Sequence, residues 1–343
     1  IPGSCRILVM KFVILSISLV ALFFANLFVG SVDIPPAQVV DILFNNGDPD
    51  GPLRFIVVGS RLPQAITAVL AGAALTVSGL MLQTAFRNPL AGPSILGITS
   101  GSSLGVAFVI LFFGGSVSAA GYSWGGYAAI LAGSFAGSIA IMGLLLLFSM
   151  WLKNDLMLLI AGIMTGYLTS SVITLLNYLS TAEGVHGYAM WGMGNFNGVA
   201  LGQIPLFSLA IVFGLLLSIL MVKPLNVILL GENYALNLGI SMQTVRNLLL
   251  VTTGLLTSVV TAFCGPVSFI GLAVPHVVRM IFRVADHRVI IPGCILTGGV
   301  IGLICNLICI LPDNIVLPLN GVTPLIGVPV IMYVIFKERF KRR

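Results

Sequence analysis

The amino-acid sequence predicts an all-α polytopic membrane protein with ten transmembrane helices and both termini on the cytoplasmic side. Of its 343 residues, 58% are apolar and only 8% are charged, against about 25% charged residues in typical soluble domains. The mean hydropathy is +1.13. A soluble fold of this length could not cover its surface with so few polar residues, and a disordered chain would be far less hydrophobic. Soluble enzymes and soluble binding modules are therefore excluded.

Long stretches without charge mark the predicted spans. A transmembrane helix needs about 20 mostly apolar residues. The intervals without Asp, Glu, Lys or Arg that are long enough for a span are 12–32, 62–86, 88–152, 156–182, 184–222, 247–278, 289–312 and 314–336. The interval 88–152 is long enough for two helices, and a turn between them is indicated by Gly114, Gly115, Ser116, Ser118 and Gly121. These intervals together predict nine spans.

A tenth span follows from Gly265-Pro266, which divides the interval 247–278 because proline interrupts a helix. We expect a helix on each side, the second ending near Phe282. The basic residues support ten spans: with the N-terminus inside, all of the 16 Lys and Arg residues except Arg54 and Arg61 lie on the cytoplasmic side. Nine spans would place the basic tail outside.

The ends and loops of the chain complete this topology. The first apolar run lacks a small-residue cleavage site and is interpreted as a retained helix, not a signal peptide. Residues 10–340 are assigned to one transmembrane domain, and residues 1–9 to a flexible N-terminus or to sequence added to the natural chain. The outer segment 33–60 is predicted as a loop with one short helix. The inner segment 223–246, the longest cytoplasmic connection, predicts short amphipathic helices that face a soluble partner.

Several kinds of chemistry are missing from the chain. No Lys follows a Gly, so the Gly-Lys-Ser/Thr of the phosphate-binding loop is absent. No acid lies in the middle of a predicted span, although ion-coupled carriers generally use buried acids. His276 is the one in-span histidine and has no carboxylate beside it, which disfavours an intramembrane hydrolase. The five cysteines form no Cys-x-x-Cys pair and are interpreted as core residues. We predict no catalytic residue, no metal site and no nucleic-acid partner.

Glycine patterns indicate close helix packing and a possible repeat. Gly97, Gly101 and Gly105 have the spacing that lets helices approach closely in lipid, and we expect this packing within one subunit. The segments 92–97 and 265–271 are similar and follow the second and seventh predicted spans. Because five spans separate them, the two halves would have opposite orientations, as in transporters with an inverted repeat.

A set of motifs, running from roughly Lys11 to Phe340, resembles the FecCD-type permeases of type II ABC importers. The motifs are Arg61-Leu62-Pro63, Gln83-x-x-Phe86-Arg87-Asn88-Pro89-Leu90-Ala91, Leu96-Gly97-Ile98-x-x-Gly101, Gly231-Glu232-x-x-Ala235-x-x-Leu238-Gly239, Phe269-Ile270-Gly271-Leu272-x-x-Pro275-His276-x-x-Arg279, Asp286-His287-Arg288 and Pro292-Gly293. Their order and spacing follow those of the family. The resemblance implies a ten-span subunit that lines a transport pathway.

The resemblance also implies partners and substrates. A second permease copy, two ATPase subunits and an extracytoplasmic substrate-binding protein would complete the importer, in a bacterial cytoplasmic (inner) membrane. This chain would bind no cofactor, with ATP and magnesium on the partner ATPase, and would not be an enzyme itself. We expect a bulky metal chelate as substrate, an iron siderophore or haem, with cobalamin as the alternative. A stand-alone secondary transporter or channel is the alternative from another class.

Candidate site residues follow from the same resemblance. The motif at Gly231, Glu232, Ala235, Leu238 and Gly239 is predicted to contact the ATPase. Arg61 and Gln64 are predicted to meet the binding protein, although Arg61 also fits an arginine that anchors a helix end. Members that resemble the cobalamin permease tend to have Arg where this chain has Gln64.

Three further interpretations concern the spans. Asn88, Pro89 and Leu90 are predicted to form a cytoplasmic gate region. His276 and Arg279 are interpreted as structural hydrogen-bonding residues rather than substrate contacts. The segment around Trp191 is interpreted as an outer interfacial belt.

Overall fold

In the computed structural model, helices make up nearly the whole of the described chain, which comprises residues 2–30, 32–44, 51–119, 122–152, 154–231, 237, 239, 241–311 and 316–341. The helices are α1 (Pro2–Phe28), α2 (Pro36–Phe44), α3 (Pro52–Ala85), α4 (Ile98–Phe112), α5 (Tyr127–Trp151), α6 (Asp155–Leu179), α7 (Ala182–Gly192), α8 (Leu201–Leu220), α9 (Val222–Leu229), α10 (Met242–Cys264), α11 (Ile270–Phe282), α12 (His287–Ile310) and α13 (Leu319–Lys341). Two short strands, β1 (Ser116–Ala119) and β2 (Tyr122–Gly125), pair as an antiparallel hairpin.

Seven of the described helices are long and apolar enough to cross a membrane: α1, α3, α5, α6, α8, α10 and α12. Three shorter apolar helices, α4, α11 and the first part of α13, lie between or after them. The predicted break at Gly265-Pro266 is confirmed, because α10 ends at Cys264 and α11 runs from Ile270 to Phe282. The polytopic membrane fold is therefore established, and the ten-span count stays a prediction.

The centre of the molecule is formed by α3, α10 and α12, which have the largest buried share among the long helices. α3 packs along α12 and against α10 and α11. Glycines allow these crossings: a Cβ on Gly72 would lie 2.1 Å from the carbonyl oxygen of Gly298, and one on Gly79 would lie 1.6 Å from that of Gly271. Gly105 and Gly133 bring α4 and α5 together in the same way. The glycine motifs of the sequence thus lie at helix crossings within this subunit.

Packing in the two halves corresponds pair by pair. α3 packs on α12 and α10 on α5, α4 packs on α6 and α11 on α13, and α4 packs on α5 as α11 does on α12. Each of the short helices α4 and α11 begins after a residue with positive φ, Gly97 (φ 78°) and Phe269 (φ 66°). This correspondence supports the predicted repeat. Its inverted orientation depends on the membrane topology and stays a prediction.

The boundaries of three elements differ from the sequence expectation. The second long helix was expected to begin after Arg61, but α3 begins at Pro52, and its segment Phe55–Arg61 is π-helical. The turn expected after Gly114 contains the β1–β2 hairpin. α1 begins at Pro2 and so extends through most of the segment 1–9.

Candidate coupling site

Four helices converge at the predicted cytoplasmic end: the end of α3, the short helix α9, the end of α11 and the start of α12. α9 is amphipathic, with Leu225 and Ile228 fully buried against the bundle and Lys223 and Leu229 exposed. It immediately precedes Gly231, the first residue of the predicted ATPase motif. The motif therefore lies between α9 and α10, which begins at Met242.

Asn226 fastens α9 to the start of α12. Its side-chain Oδ1 accepts hydrogen bonds from the backbone N–H of His287 and from His287 Nδ1, each 2.8 Å long. Its Nδ2 donates to Asp286 Oδ1 at 2.6 Å. A backbone N–H only donates and a carboxylate only accepts, so the amide of Asn226 has one orientation and His287 Nδ1 carries a hydrogen.

Asp286 is the N-cap of α12. One carboxylate oxygen accepts the backbone N–H of Arg288 at 2.9 Å as well as the amide of Asn226. These two hydrogen bonds favour the ionised form and lower the pKa of the Asp286 carboxyl, the backbone bond contributing most. The cap is therefore anionic near neutral pH, where it also complements the dipole of α12.

The imidazole of His287 continues the connection to α3. The side chain is 2% exposed, and its Nε2 lies 3.0 Å from Thr84 Oγ1 in the last turn of α3. The Thr84 hydroxyl also lies 2.9 Å from the carbonyl oxygen of Leu80. In a neutral imidazole with hydrogen on Nδ1, Nε2 is an acceptor, so Nε2 and the Leu80 oxygen are two alternative acceptors for the single hydrogen of the Thr84 hydroxyl. One residue thus touches α9, α12 and α3.

A second set of bonds joins α3 to α11. Arg279 Nη1 donates to Gln83 Oε1 at 2.7 Å, and Gln83 Nε2 donates to the carbonyl oxygen of Leu272 at 3.0 Å. His276 Nε2 donates to the carbonyl oxygen of Pro89 at 2.8 Å. The structure therefore brings His276 to the predicted gate region, and Arg279 to the last turn of α3 before it.

The gate region is a tight turn directly after α3. Arg87 has φ 45°, and Asn88 Oδ1 accepts the backbone N–H of Leu90 at 2.9 Å. Leu90 is exposed. These contacts fix the shape of the segment, and its gating role stays a prediction.

The predicted docking residues are both buried. Arg61 is 5% exposed, and its Nη1 donates to the carbonyl oxygens of Leu27 (2.9 Å) and Phe28 (3.0 Å), while its Nη2 donates to that of Val32. Arg61 therefore satisfies carbonyls at the end of α1. Its role in docking stays a prediction.

Gln64 belongs to a buried chain of amides. Its Nε2 donates to Asn306 Oδ1 at 2.9 Å, and Asn306 Nδ2 donates to Asn26 Oδ1 at 2.8 Å. The chain connects α3, α12 and α1. A predicted surface residue thus lies inside the bundle, where its own contacts explain why a polar residue is tolerated.

The predicted ATPase motif is described only at its ends. Gly231 has φ 115° and Gly239 has φ 76°, conformations that favour glycine. Glu232, Ala235 and Leu238 lie outside the described residues, so their contacts are not described.

Sequence reasoning missed Asn226, Thr84 and the side-chain role of His287. Asp286 before an apolar run is a recognisable N-cap signal. Arg246 was also missed: its Nη2 donates to the carbonyl oxygen of Ser149 at 2.6 Å near the end of α5, as Arg61 does at the end of α1.

Comparison with known proteins decides the family. Residues 18–337 match the FecCD transport family. The chain belongs to the FecCD transport family. It is therefore a multi-pass permease of ABC importers, a FecCD-family protein whose ATPase is a separate subunit and which works with ATPase and binding-protein partners.

Individual relatives of this FecCD-family chain agree with that assignment. It is 35% identical over 279 residues to the vitamin B12 import system permease protein BtuC of Salmonella paratyphi A, covering 81% of this chain and 82% of the relative. It is 35% identical over 281 residues to the protein of the same name from Citrobacter koseri, with the same shares covered. A solved inward-facing structure assigned to the metal-chelate type of ABC transporter is 27% identical, with a TM-score of 0.81 over 96% of this chain and 99% of that one.

Proposed function

We propose that this permease imports a bulky metal chelate, an iron siderophore or haem, across a bacterial cytoplasmic membrane. The observation that carries this is the likeness of nearly the whole fold to an ABC transporter of the metal-chelate type. Cobalamin is the second candidate, because the BtuC relatives are named for vitamin B12 import. Gln64, at a position where members that resemble the cobalamin permease tend to have Arg, favours the first over the second.

The proposed assembly contains two copies of this chain, two ATPase subunits and one extracytoplasmic binding protein. ATP and magnesium bind the ATPase subunits, and this chain supplies the pathway and no active site. Ten spans, with both termini in the cytoplasm, place α9 and the network around His287 on the ATPase side. The inverted relation of the two halves follows from that topology.

ATP hydrolysis is coupled to transport through the segment from Gly231 to Gly239. Its bracketing glycines adopt positive φ, and α9, which leads into it, is bonded to α12 and, through His287, to α3. Arg61 contributes to docking of the binding protein at the outer face. Asn88, Pro89 and Leu90 close the pathway on the cytoplasmic side.

Substrate and energy source are tested in proteoliposomes that hold the complete importer. Uptake of radiolabelled ferric siderophores, haem and cobalamin is measured with and without ATP and the loaded binding protein. We expect uptake of one iron chelate that requires both. Uptake by the permease chain alone, without ATP, would instead support a secondary carrier or channel.

The coupling surface is tested with the double variant Glu232→Arg with Ala235→Trp. Membrane insertion and the ATPase activity of the free nucleotide-binding subunit should be unchanged, because neither depends on this loop. Transport and the stimulation of ATP hydrolysis by the loaded binding protein should collapse. A variant that transports at the normal rate would place the coupling surface elsewhere, with the loop 153–156 as the next candidate.

A further inference from the structure

We propose that His287 is a positioning residue for coupling, which transmits displacement of α9 to the inner end of α3 through Asn226 and Thr84. The inference rests on the proposed entry of the coupling signal at Gly231–Gly239. It adds the route by which a displacement of α9 reaches α3. Its evidence is one buried imidazole whose two ring nitrogens face two different helices.

α9 is attached to α12 independently of the imidazole. Asn226 accepts the backbone N–H of His287 and donates to Asp286, and both bonds persist whatever side chain stands at position 287. The side chain of His287 adds a second bond to Asn226 through Nδ1, and it alone makes the link onward to Thr84. Substitutions at position 287 therefore change the connection to α3 while leaving the bonds between α9 and the α12 backbone in place.

Burial makes the link stiff. His287 is 2% exposed and Thr84 5% exposed, so a ring nitrogen that loses its partner finds no water to replace it. Asn226, His287 and Thr84 are thus expected to move together. A hydrogen-bonded group of this kind acts as one body as long as every member keeps its partner.

Contacts next to Thr84 connect the last turn of α3 to α11. The adjacent Gln83 holds Arg279 and the carbonyl of Leu272 on α11. Higher up, α3 touches α11 backbone to backbone at Gly79 and Gly271. Displacement of the last turn of α3 would therefore carry α11 with it, and α11 contacts the gate region through His276 and Pro89.

Two near-isosteric substitutions test the hydrogen bonds of the two ring nitrogens of His287 separately. Asn at position 287 has a polar atom near the place of Nδ1, so His287→Asn keeps the contact with Asn226 and loses Thr84. Gln has a polar atom near the place of Nε2, so His287→Gln keeps Thr84 and loses the ring contact with Asn226. Thr84→Val removes the same link from the other side with almost unchanged shape.

The experiment uses the complete importer in proteoliposomes. We expect His287→Asn and Thr84→Val each to lower ATP-driven uptake, and the stimulation of ATP hydrolysis by the loaded binding protein, at least fivefold. His287→Gln, which keeps the link to Thr84, should stay within twofold of wild type in both measurements. Basal ATP hydrolysis and the amount of assembled complex should stay within twofold of wild type. Thr84→Ser, which keeps the hydroxyl, should restore uptake to near the wild-type rate.

Thr67→Val is the matched control. Thr67 also lies on α3, is fully buried and donates to a carbonyl of its own helix, that of Pro63, at 2.7 Å. It should leave uptake and stimulation unchanged. The double variant His287→Asn with Thr84→Val should be no worse than either single variant, because both remove one link.

Three results would overturn the inference. One is normal uptake and stimulation in His287→Asn and Thr84→Val. Another is loss of uptake in Thr84→Ser equal to that in Thr84→Val, and the third is a double variant whose loss is the product of the single losses. Absence of ATP-dependent uptake in the wild-type importer would instead contradict the proposed function itself.

Discussion

Two buried arginines each satisfy carbonyl groups at the end of another helix. Arg61 donates to carbonyls at the end of α1, and Arg246 donates to Ser149 near the end of α5. The last carbonyls of a helix have no partner within the helix, and a cation there also complements the helix dipole. A fixed guanidinium fork serves several carbonyls at once, which an ammonium group cannot match. These contacts explain why two charged side chains are tolerated inside the bundle.

Replacing Arg61 by Lys should lower the thermal stability of the permease. The substitution keeps the charge but loses the fork that reaches three carbonyls, so we expect a clear fall in the unfolding temperature of the purified chain in detergent. Arg54→Lys is the control, since Arg54 Nη1 makes no hydrogen bond in the described part of the chain. An unchanged unfolding temperature, combined with weaker affinity for the binding protein, would favour docking over capping as the main role of Arg61.

The cap at Asp286 should make stability depend on pH in a defined direction. Its pKa is lowered in the folded state, so its stabilising effect is full above the unfolded-state pKa of about 4 and is lost as the pH falls through the lowered value. The unfolding temperature of the wild type should therefore exceed that of Asp286→Asn near neutral pH. This difference should close below about pH 4. Asp286→Ala, which also removes the cap, should lose about 1 kcal/mol at neutral pH. A gap that stays constant with pH would contradict this account.

At the scale of elements, backbone contacts at glycines decide how the central helices pack. A Cβ on Gly72 would lie 2.1 Å from the Gly298 oxygen, and that oxygen belongs to the α12 backbone and cannot rotate away. We expect Gly72→Ala to destabilise the fold by about 1–3 kcal/mol, or to prevent recovery of folded protein. The measurements are the yield of monodisperse chain and its unfolding temperature.

Gly143→Ala on α5 is the matched substitution. It replaces a glycine of a long helix too, but an added Cβ there meets no atom within 4 Å. Because alanine favours helix over glycine by about 0.5–1 kcal/mol, stability should stay the same or rise. An equal loss of stability in Gly72→Ala and Gly143→Ala would contradict this account, because only Gly72 lies at a helix crossing.

Local signals in the sequence predicted some elements well. Gly265-Pro266 predicted the break between α10 and α11 because a backbone turn and a missing N–H act on their own neighbours. The predicted start of α3 was wrong because the boundary was placed at Arg61 on the basis of charge alone. That charge lies inside the helix, buried by a contact with α1, and no local pattern reports such a contact.

The coupling site was less predictable for the same reason. Thr84 and His287 are 203 residues apart, and Asn226 is 61 residues from His287. Motif resemblance marked Asp286-His287 and Gln83, yet only the packing of four helices reveals that they join. Gln64 shows the opposite case, since a residue assigned to a surface by resemblance has its partners inside the bundle.

At the scale of the whole molecule, α3 and α12 form a continuous unit between the two faces of the membrane. Gln64 and Asn306 join them near the predicted outer end, Gly72 and Gly298 allow close contact between, and Thr84 and His287 join them at the predicted cytoplasmic end. Such a pair is expected to move as a rigid body. It offers the proposed coupling signal a direct path across the membrane.

Ten spans require that the short helices α4 and α11 cross the membrane. At 1.5 Å per residue, α11 is about 20 Å long, shorter than the hydrocarbon core of about 30 Å, so the segments before these helices must enter the membrane without helical structure. Unwound backbone is tolerated there only when other protein groups form hydrogen bonds with its N–H and C=O groups. Asn320 does so before α11, donating to the carbonyl of Pro266 at 2.6 Å and accepting the backbone N–H of Ser268 at 3.0 Å.

Cysteine labelling tests this topology. If α4 crosses, the β1–β2 hairpin lies outside, whereas the loop after α9 lies inside. In a cysteine-free background, an impermeant maleimide should label Ser118→Cys in intact spheroplasts and Asn237→Cys only after permeabilisation. The position of the C-terminus alone would not decide, because failure of both α4 and α11 to cross also leaves it inside. Protection of Ser118→Cys in intact spheroplasts, with labelling after permeabilisation, would therefore exclude the ten-span arrangement.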